Sequence, residues 1–208
     1  MSIIYLLKTH NIEVNDKNII DVDDKTKERI NRVKSLERKQ ELFGSYLLLK
    51  DILEANYNIN IKDIELVYNE NGKPSIKDSN IHFSLSHSNN IVILAVSDHE
   101  IGIDIELISD VKDNLVKKVL TKEELNIYSK LRSKEKNKYF FEVWTSKEAS
   151  IKAIGGSLPI NLNQVEIDEA ITSNYHSGHD NYIIAAVGLD KFSIIERFIP
   201  KEYLKEEN

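Results

Sequence analysis

The spacing of apolar residues along the chain predicts an alternation of strands and helices. Residues 2–7 form an apolar run of strand length, and residues 25–56 place Leu36, Phe43, Tyr46, Leu47, Leu49 and Leu53 at helical spacing. Gly44 interrupts that helix against its propensity, which points to close packing there. A strand over 64–68 runs into the turn Asn69-Glu70-Asn71-Gly72 and then Lys73-Pro74. Residues 81–85 and 91–96 flank the polar stretch His87-Ser88-Asn89-Asn90, which predicts a hairpin. Residues 101–107 alternate as a strand. Thr121 three residues before Glu124 predicts a capping box, and Ser133 opens a helix that Gly155-Gly156 ends near 154. Residues 165–167, 182–187 and 192–199 return to strand patterning. This order predicts an α+β chain with two halves meeting near Asp104, taken as 1–104 and 105–208.

Composition narrows the classes. The 208 residues, 41% hydrophobic and 30% charged, suffice for a sizeable core. With no cysteine, disulfides and thiolate metal sites are excluded. The opening apolar run is too short for a signal peptide and no stretch is long enough to span a bilayer, so cytoplasm and no membrane are expected. A net charge of -6 argues against general nucleic-acid binding. The charge is uneven, however. Between Lys112 and Lys138 lie Lys117, Lys118, Lys122, Lys130, Arg132, Lys134 and Lys136, against Asp113, Glu123, Glu124 and Glu135. This stretch is either a solvated helical face or a surface that steers an acidic partner.

Four clusters carry candidate chemistry. In Gly102-Ile103-Asp104-Ile105-Glu106, strand period puts Asp104 and Glu106 on one face and Ile103 and Ile105 on the other. Paired carboxylates repel unless a positive charge lies between them, and a hard cation with oxygen ligands is a natural occupant. A solvated strand bearing two acids would look the same. In Trp144-Thr145-Ser146-Lys147-Glu148-Ala149-Ser150-Ile151-Lys152, Trp144, Glu148 and Lys152 share a helix face, with Phe141 beside it. A surface Glu–Lys pair over plain core explains that spacing equally well. Phe83-Ser84-Leu85-Ser86-His87-Ser88 groups hydroxyls and an imidazole as a phosphate site would, or as a polar turn does. Gly72-Lys73-Pro74 gives a turn with a lysine able to reach an anion. His10, His82, His99, His176 and His179 have no metal-ligand spacing, and the last two read as loop residues. There is no P-loop, G-x-G-x-x-G or H-E-x-x-H motif.

Taken in order and spacing, these four clusters resemble the 4'-phosphopantetheinyl transferases of the surfactin-synthetase-activating (Sfp) type. That family carries a G-K-P turn, an F-N-x-S-H-S-like hairpin, G-[IV]-D-[IV]-E and W-[ST]-x-K-E-[AS]-x-x-K. The resemblance covers essentially the whole chain. It implies two similar α/β halves about a pseudo-twofold axis, with coenzyme A in the cleft between them. It further implies a monomer that transfers the phosphopantetheine arm of coenzyme A to a serine of an apo carrier protein. Carried onto matching positions, Asp104, Glu106 and Glu148 would hold magnesium (Mg2+). Lys73, Pro74, Ser86 and His87 would bind the adenosine end with its 3'-phosphate. Lys147 and Lys152 would lie by the pyrophosphate, with Lys152 and Glu148 catalytic. Glu124 matches an acidic family position, and its capping role explains it equally well. One departure stands out: a basic residue that the family often has four positions before the helix glycine is Gln40 here, with Arg38 and Lys39 before it. A non-catalytic coenzyme A-binding protein of the same fold is the alternative, and a magnesium-dependent phosphohydrolase a second one.

Overall fold

The computed structural model describes residues 2–156, 161–167 and 169–205. Its strands are β1 (Ser2–Lys8), β2 (Leu66–Tyr68), β3 (Pro74–Ile76), β4 (His82–Ser88), β5 (Ile91–Ser97), β6 (Gly102–Leu107), β7 (Ile171–Ser177), β8 (Asp180–Val187) and β9 (Phe192–Arg197). Its helices are α1 (Asp24–Arg32), α2 (Leu36–Tyr57), α3 (Asp113–Val119), α4 (Lys122–Lys130) and α5 (Ser133–Ala153). The mixed α/β composition agrees with the expected class. Among the described residues no helix is long and apolar enough to cross a membrane.

Two sheets meet face to face. The first has the order β4-β5-β1-β9, with β1 antiparallel to β5 and parallel to β9, so the last strand joins the sheet that holds the first. The second has the order β6-β8-β7 and is antiparallel. Strand alternation divides the core. On β1 and β5, Tyr5, Leu7, Val92 and Leu94 turn to α2, with Phe43, Leu48, Ile52 and Leu53. Ile4, Leu6, Ile91, Ile93 and Ala95 turn the other way, onto Ile103, Ile105, Ile184 and Ala186 of the second sheet. α5 covers that sheet's outer face and packs with α3 through Val116, Val119, Phe140 and Val143. The order of layers is therefore helix, sheet, sheet, helix.

Glycine permits two close approaches. A Cβ on Gly44 would stand 2.5 Å from Cγ2 of Thr9, so α2 lies on the end of β1 only because the position is bare. A Cβ on Gly102 would stand 2.0 Å from the Ala149 carbonyl oxygen and 2.4 Å from the Ala153 nitrogen. That second contact is backbone on both sides and cannot yield. It sets α5 directly against β6.

Some expected elements are corrected. The single helix over 25–56 is two, because Ser35 caps a new helix by accepting from the Arg38 amide, while Val33 and Ser35 take extended backbone. Residues 165–167 form no strand. They follow a 3-10 turn at Leu162–Gln164, and β8 pairs instead with Ile171–Ser177, which has one half-buried face. His176 therefore lies on a strand, and the His179 turn closes the β7–β8 hairpin. The first hairpin strand runs further than expected, to Ser88, while the second begins at Ile91 as expected, leaving Asn89 and Asn90 as left-handed turn residues. The stretch 83–88 is therefore strand, and only its end reaches the turn.

Candidate active site

On β4, Ser84, Ser86 and Ser88 alternate onto one face, and all three bond to β6. Ser84 Oγ accepts the Ile103 amide at 3.1 Å, Ser86 Oγ donates to Asp104 at 2.7 Å, and Ser88 Oγ accepts the Leu107 amide at 3.2 Å. These hydroxyls join the edges of the two sheets where a backbone ladder does not. The opposite face of β4 carries Phe83, Leu85 and His87 toward α2.

A cleft of about 430 Å³ opens along this seam, lined by α2, the turn before β3, β4 and α5. Its floor is formed by Ser86, Glu148 and Lys152, and beneath them two periodicities meet. Asp104 and Glu106 share one face of β6, while Trp144, Glu148 and Lys152 share one face of α5 running against it. Trp144 Nε1 donates to Glu106 Oε1 at 3.1 Å, and Lys152 Nζ donates to Asp104 Oδ1 at 2.7 Å and to Ser86 Oγ at 2.8 Å. Ser88 Oγ donates to the other Glu106 oxygen at 3.3 Å. Glu148 and Lys152 line the cleft beside Ser86 and His87. Gly102, by admitting α5 so close, makes these contacts possible.

The electrostatics of the floor are unbalanced: three carboxyls face one ammonium. Burial, and then the nearby Asp104 charge, push both the Glu106 and the Glu148 carboxyl up to about 7 from an ordinary 4.5. Asp104 Oδ2 is buried without a hydrogen-bond partner. An orphaned carboxylate oxygen beside two acids held partly protonated suits the all-oxygen donor set of a hard divalent cation. As they stand, no three acidic or histidine side chains among the described residues converge into a metal cage.

This imbalance has a pH consequence. Between about 4.5 and 7 the folded protein keeps protons on Glu106 and Glu148 that the unfolded chain has released. Their contribution to stability is therefore greatest below the unfolded value and is lost as pH rises through about 7. In urea unfolding of metal-free protein from pH 5.5 to 8, Glu148→Gln should gain on the wild type as pH increases. A constant difference across that range would show that Glu148 is not destabilised by its charge.

The remaining residues singled out in the sequence separate into those at the cleft and those away from it. Pro74 lines it, as do Ser86, His87 and Lys152. Lys73 stands at its rim, but the ammonium is engaged by Glu100 at 2.9 Å, the Ala153 carbonyl at 3.2 Å and the Ile101 carbonyl at 3.4 Å. With Asn69 and Asn71 donating to the Gly155 carbonyl, Lys73 ties its turn to the end of α5. Lys147 is not at the cleft, which corrects its expected place. It is fully buried and donates to the Val119 and Leu162 carbonyls and to Glu124, the last at 2.7 Å. One residue along a helix is a turn of about 100°, so Lys147 faces α3 and α4 while Glu148 faces the cleft. Glu124 forms the capping box with Thr121 and receives Lys147 as well.

Sequence reasoning missed three residues of the cleft wall. Arg29 and Thr26, on α1, line it with Tyr68, whose ring lies under the Arg29 guanidinium and the Lys25 ammonium. Their i, i+3 relation was already present in the expected helix over 25–56, but nothing in the sequence turned that face to the cleft.

Two family models match adjoining parts of the chain. The 4'-phosphopantetheinyl transferase superfamily matches residues 100–195, and the 4'-phosphopantetheinyl transferase N-terminal family matches residues 16–99. The chain is 39% identical over 133 residues to the 4'-phosphopantetheinyl transferase gsp of Aneurinibacillus migulanus, covering 62% of this chain and 54% of that protein. It is 31% identical over 168 residues to ffp of Bacillus subtilis and 29% identical over 168 residues to Sfp of the same species, both named 4'-phosphopantetheinyl transferase. Each of these two matches covers 79% of this chain and 74% of the relative.

Proposed function

The chain belongs to the 4'-phosphopantetheinyl transferase superfamily, and from that premise we propose that it transfers the 4'-phosphopantetheine arm of coenzyme A to a serine of an apo carrier protein, releasing 3',5'-ADP. The observation that carries this reading is the cleft floor, where Lys152 bridges Asp104 and Ser86 beside the buried Glu148 and the half-buried Glu106. The chain would be a cytoplasmic monomer built of two halves about a pseudo-twofold axis. Residues 1–104 would bind the nucleotide, and 105–208 would supply the metal and carrier side.

Phosphoryl transfer asks a protein for positioning and charge neutralisation. The carrier serine oxygen attacks the β-phosphorus of coenzyme A, and the bond from that phosphorus to the oxygen of 3',5'-ADP breaks. Glu148, with its carboxyl pushed up to about 7, suits a group that accepts the serine proton near neutral pH. Lys152, which lines the cleft, would bear the charge that develops on the leaving oxygen. Asp104, Glu106 and Glu148 would hold magnesium, which when bound offsets pyrophosphate charge. Ser86 holds Asp104, and Trp144 holds Glu106, so neither carboxyl turns away.

The test is the intact mass of an apo acyl carrier protein after incubation with this protein, coenzyme A and magnesium. Gain of one phosphopantetheine arm, lost on adding a chelator, supports the reading. No gain on fatty-acid, polyketide or nonribosomal-peptide carriers, with coenzyme A still bound, would point to the non-catalytic binder. Phosphate released without any carrier would point to the phosphohydrolase.

The basic stretch belongs to this reading as the carrier side. Lys117 and Lys118 are exposed in the last turn of α3, and Lys122 and Lys130 are exposed on α4 beside the half-exposed Ile127. Carrier proteins are typically acidic, and such a field mainly speeds encounter. Reversing Lys117 and Lys118 to Glu should raise the KM for the carrier several-fold and leave the KM for coenzyme A unchanged. Equal changes in both would remove the docking role.

A further inference from the structure

Lys147 belongs to the same α5 motif as Glu148 and Lys152 but takes no part in the cleft, and its side chain is wholly buried. A buried ammonium is tolerated only where its three N–H donors are met. Here all three are met, each from a different element. The Val119 carbonyl accepts at 2.8 Å, the Leu162 carbonyl at 2.9 Å and Glu124 Oε2 at 2.7 Å. Val119 is the last residue of α3, so its carbonyl is one that a helix end leaves without an intrahelical partner. Glu124 lies in the first turn of α4, where the same Oε2 accepts the Thr121 amide at 2.7 Å. Leu162 opens the 3-10 turn that follows α5. One side chain thus fastens the end of α3 and the start of α4 to α5.

The apolar core supplies little else to hold α4. This helix has nine residues, too few to be stable by themselves, and none of them is buried. Only Leu125 and Tyr128 pack in part against the cluster of Val119 and Phe140. α3 is better seated, with Val116 and Val119 buried and the Lys117 carbonyl accepting from Asn163 Nδ2 at 3.3 Å. The exposed lysines straddle this corner, Lys117 and Lys118 on α3 and Lys122 and Lys130 on α4. The basic surface therefore stands on two short helices joined by a buried ion pair. The residue that makes this joint and the carboxyl that faces the cleft are neighbours on α5.

We propose that Lys147 is a positioning residue for the protein partner: by clamping Glu124 and the Val119 carbonyl it fixes the basic α3–α4 corner relative to Glu148, so that an acidic partner seated on the corner presents its serine to the cleft. This rests on the carrier reading and adds to it what sets the alignment. The exposed lysines attract the partner, whereas the buried pair, whose two charges cancel, only orients the surface that receives it. Three directed hydrogen bonds leave the corner one arrangement, which the partial apolar contacts of Leu125 and Tyr128 do not.

The test replaces the pair together, Lys147→Met with Glu124→Gln. A single change would strand a buried charge, whereas a neutral stand-in for a whole buried pair often folds as well as the original. Glutamine keeps an acceptor for the Thr121 amide, and the net charge of the protein does not change. Amide hydrogen exchange should become about tenfold faster or more in α4 and stay unchanged in β6 and α2. The kcat/KM for an apo acyl carrier protein should fall about tenfold or more, as misplacement of a reacting group does, while the KM for coenzyme A does not move. Equal exchange of α4 in the two proteins overturns the proposal. So does faster exchange with carrier transfer unchanged, or a weakening of coenzyme A by the same factor, which general loosening would produce. If the double variant does not fold, Glu124→Asp takes its place. One methylene shorter, it cannot serve the Thr121 amide and Lys147 together, and the same pattern is expected, smaller. Should the wild type transfer to no carrier, the transferase reading falls, and the fluorescence anisotropy of a labelled apo acyl carrier protein decides the proposal. Binding that the double variant weakens supports it, and no binding, or binding left untouched, overturns it.

Discussion

Glu148→Gln is expected to lower phosphopantetheine transfer by about 10²–10⁴-fold, the range for losing a general base, while the protein melts no lower than the wild type. The two halves of this expectation come from one fact. The Glu148 carboxyl is held at about 7 by burial and by the Asp104 charge, so its ionised form is disfavoured where it stands. Glutamine keeps the shape and removes that charge, and so relieves repulsion in the floor above neutral pH. On the proposed reading it also removes the acceptor for the serine proton. Asp104→Ala should behave differently: it leaves the Lys152 ammonium and the Ser86 hydroxyl without their shared partner, and both transfer and melting temperature fall. The pair of variants therefore separates a chemical loss from a structural one. Measured by carrier mass gain and by thermal melts, retention of transfer within tenfold in Glu148→Gln would remove that residue from the chemistry.

How much of this floor could be read from the chain depends on which periodicity governs each residue. Asp104 and Glu106 were legible because strand period 2 is strict: Ile103 and Ile105 had to go into the core if the acids came out. Trp144, Glu148 and Lys152 were legible as one helix face. Lys147 was not, because adjacency within a motif says nothing about direction on a helix, and only the packing of α3 and α4 shows what receives it. The serines of β4 alternate as cleanly as the acids of β6, but a polar run beside a turn reads as turn until the second sheet is there to bind it. The break between α1 and α2 was signalled by Ser35 and masked by Val33, an apolar residue in step with the helix. The Arg38, Glu41 and His87 side chains meet from positions up to 49 residues apart, and no local pattern announces it. What the sequence could not supply was therefore the contact between elements, and the polar contacts are the ones that decide the site.

The same contact logic gives a test of the carboxyl cluster that does not depend on turnover. Lys152→Met is expected to destabilise the metal-free protein by roughly 3 kcal/mol, the low end for breaking a buried ion pair. The low end applies because the Lys152 side chain is 29% exposed and some water can reach the site, whereas the Asp104 side chain is only 5% exposed. In the variant, Asp104 keeps Ser86 but loses the Lys152 ammonium, and its Oδ2 has no partner among the described residues. Three carboxyls then share a largely buried cluster without the ammonium that faced them. Magnesium, which on the proposed reading binds the folded state only, should restore stability by mass action, and by more in Lys152→Met than in the wild type, where the lysine competes for the same Asp104 charge. Transfer should still be lowered about 10²-fold or more, because charge on the leaving oxygen would lack its neighbouring cation. Thermal melts of both proteins, with magnesium and with a chelator, decide the matter. A melting temperature of Lys152→Met that ignores magnesium would mean that Asp104, Glu106 and Glu148 do not form a cation site. A selective rise would mean that Lys152 balances the floor until the cation arrives.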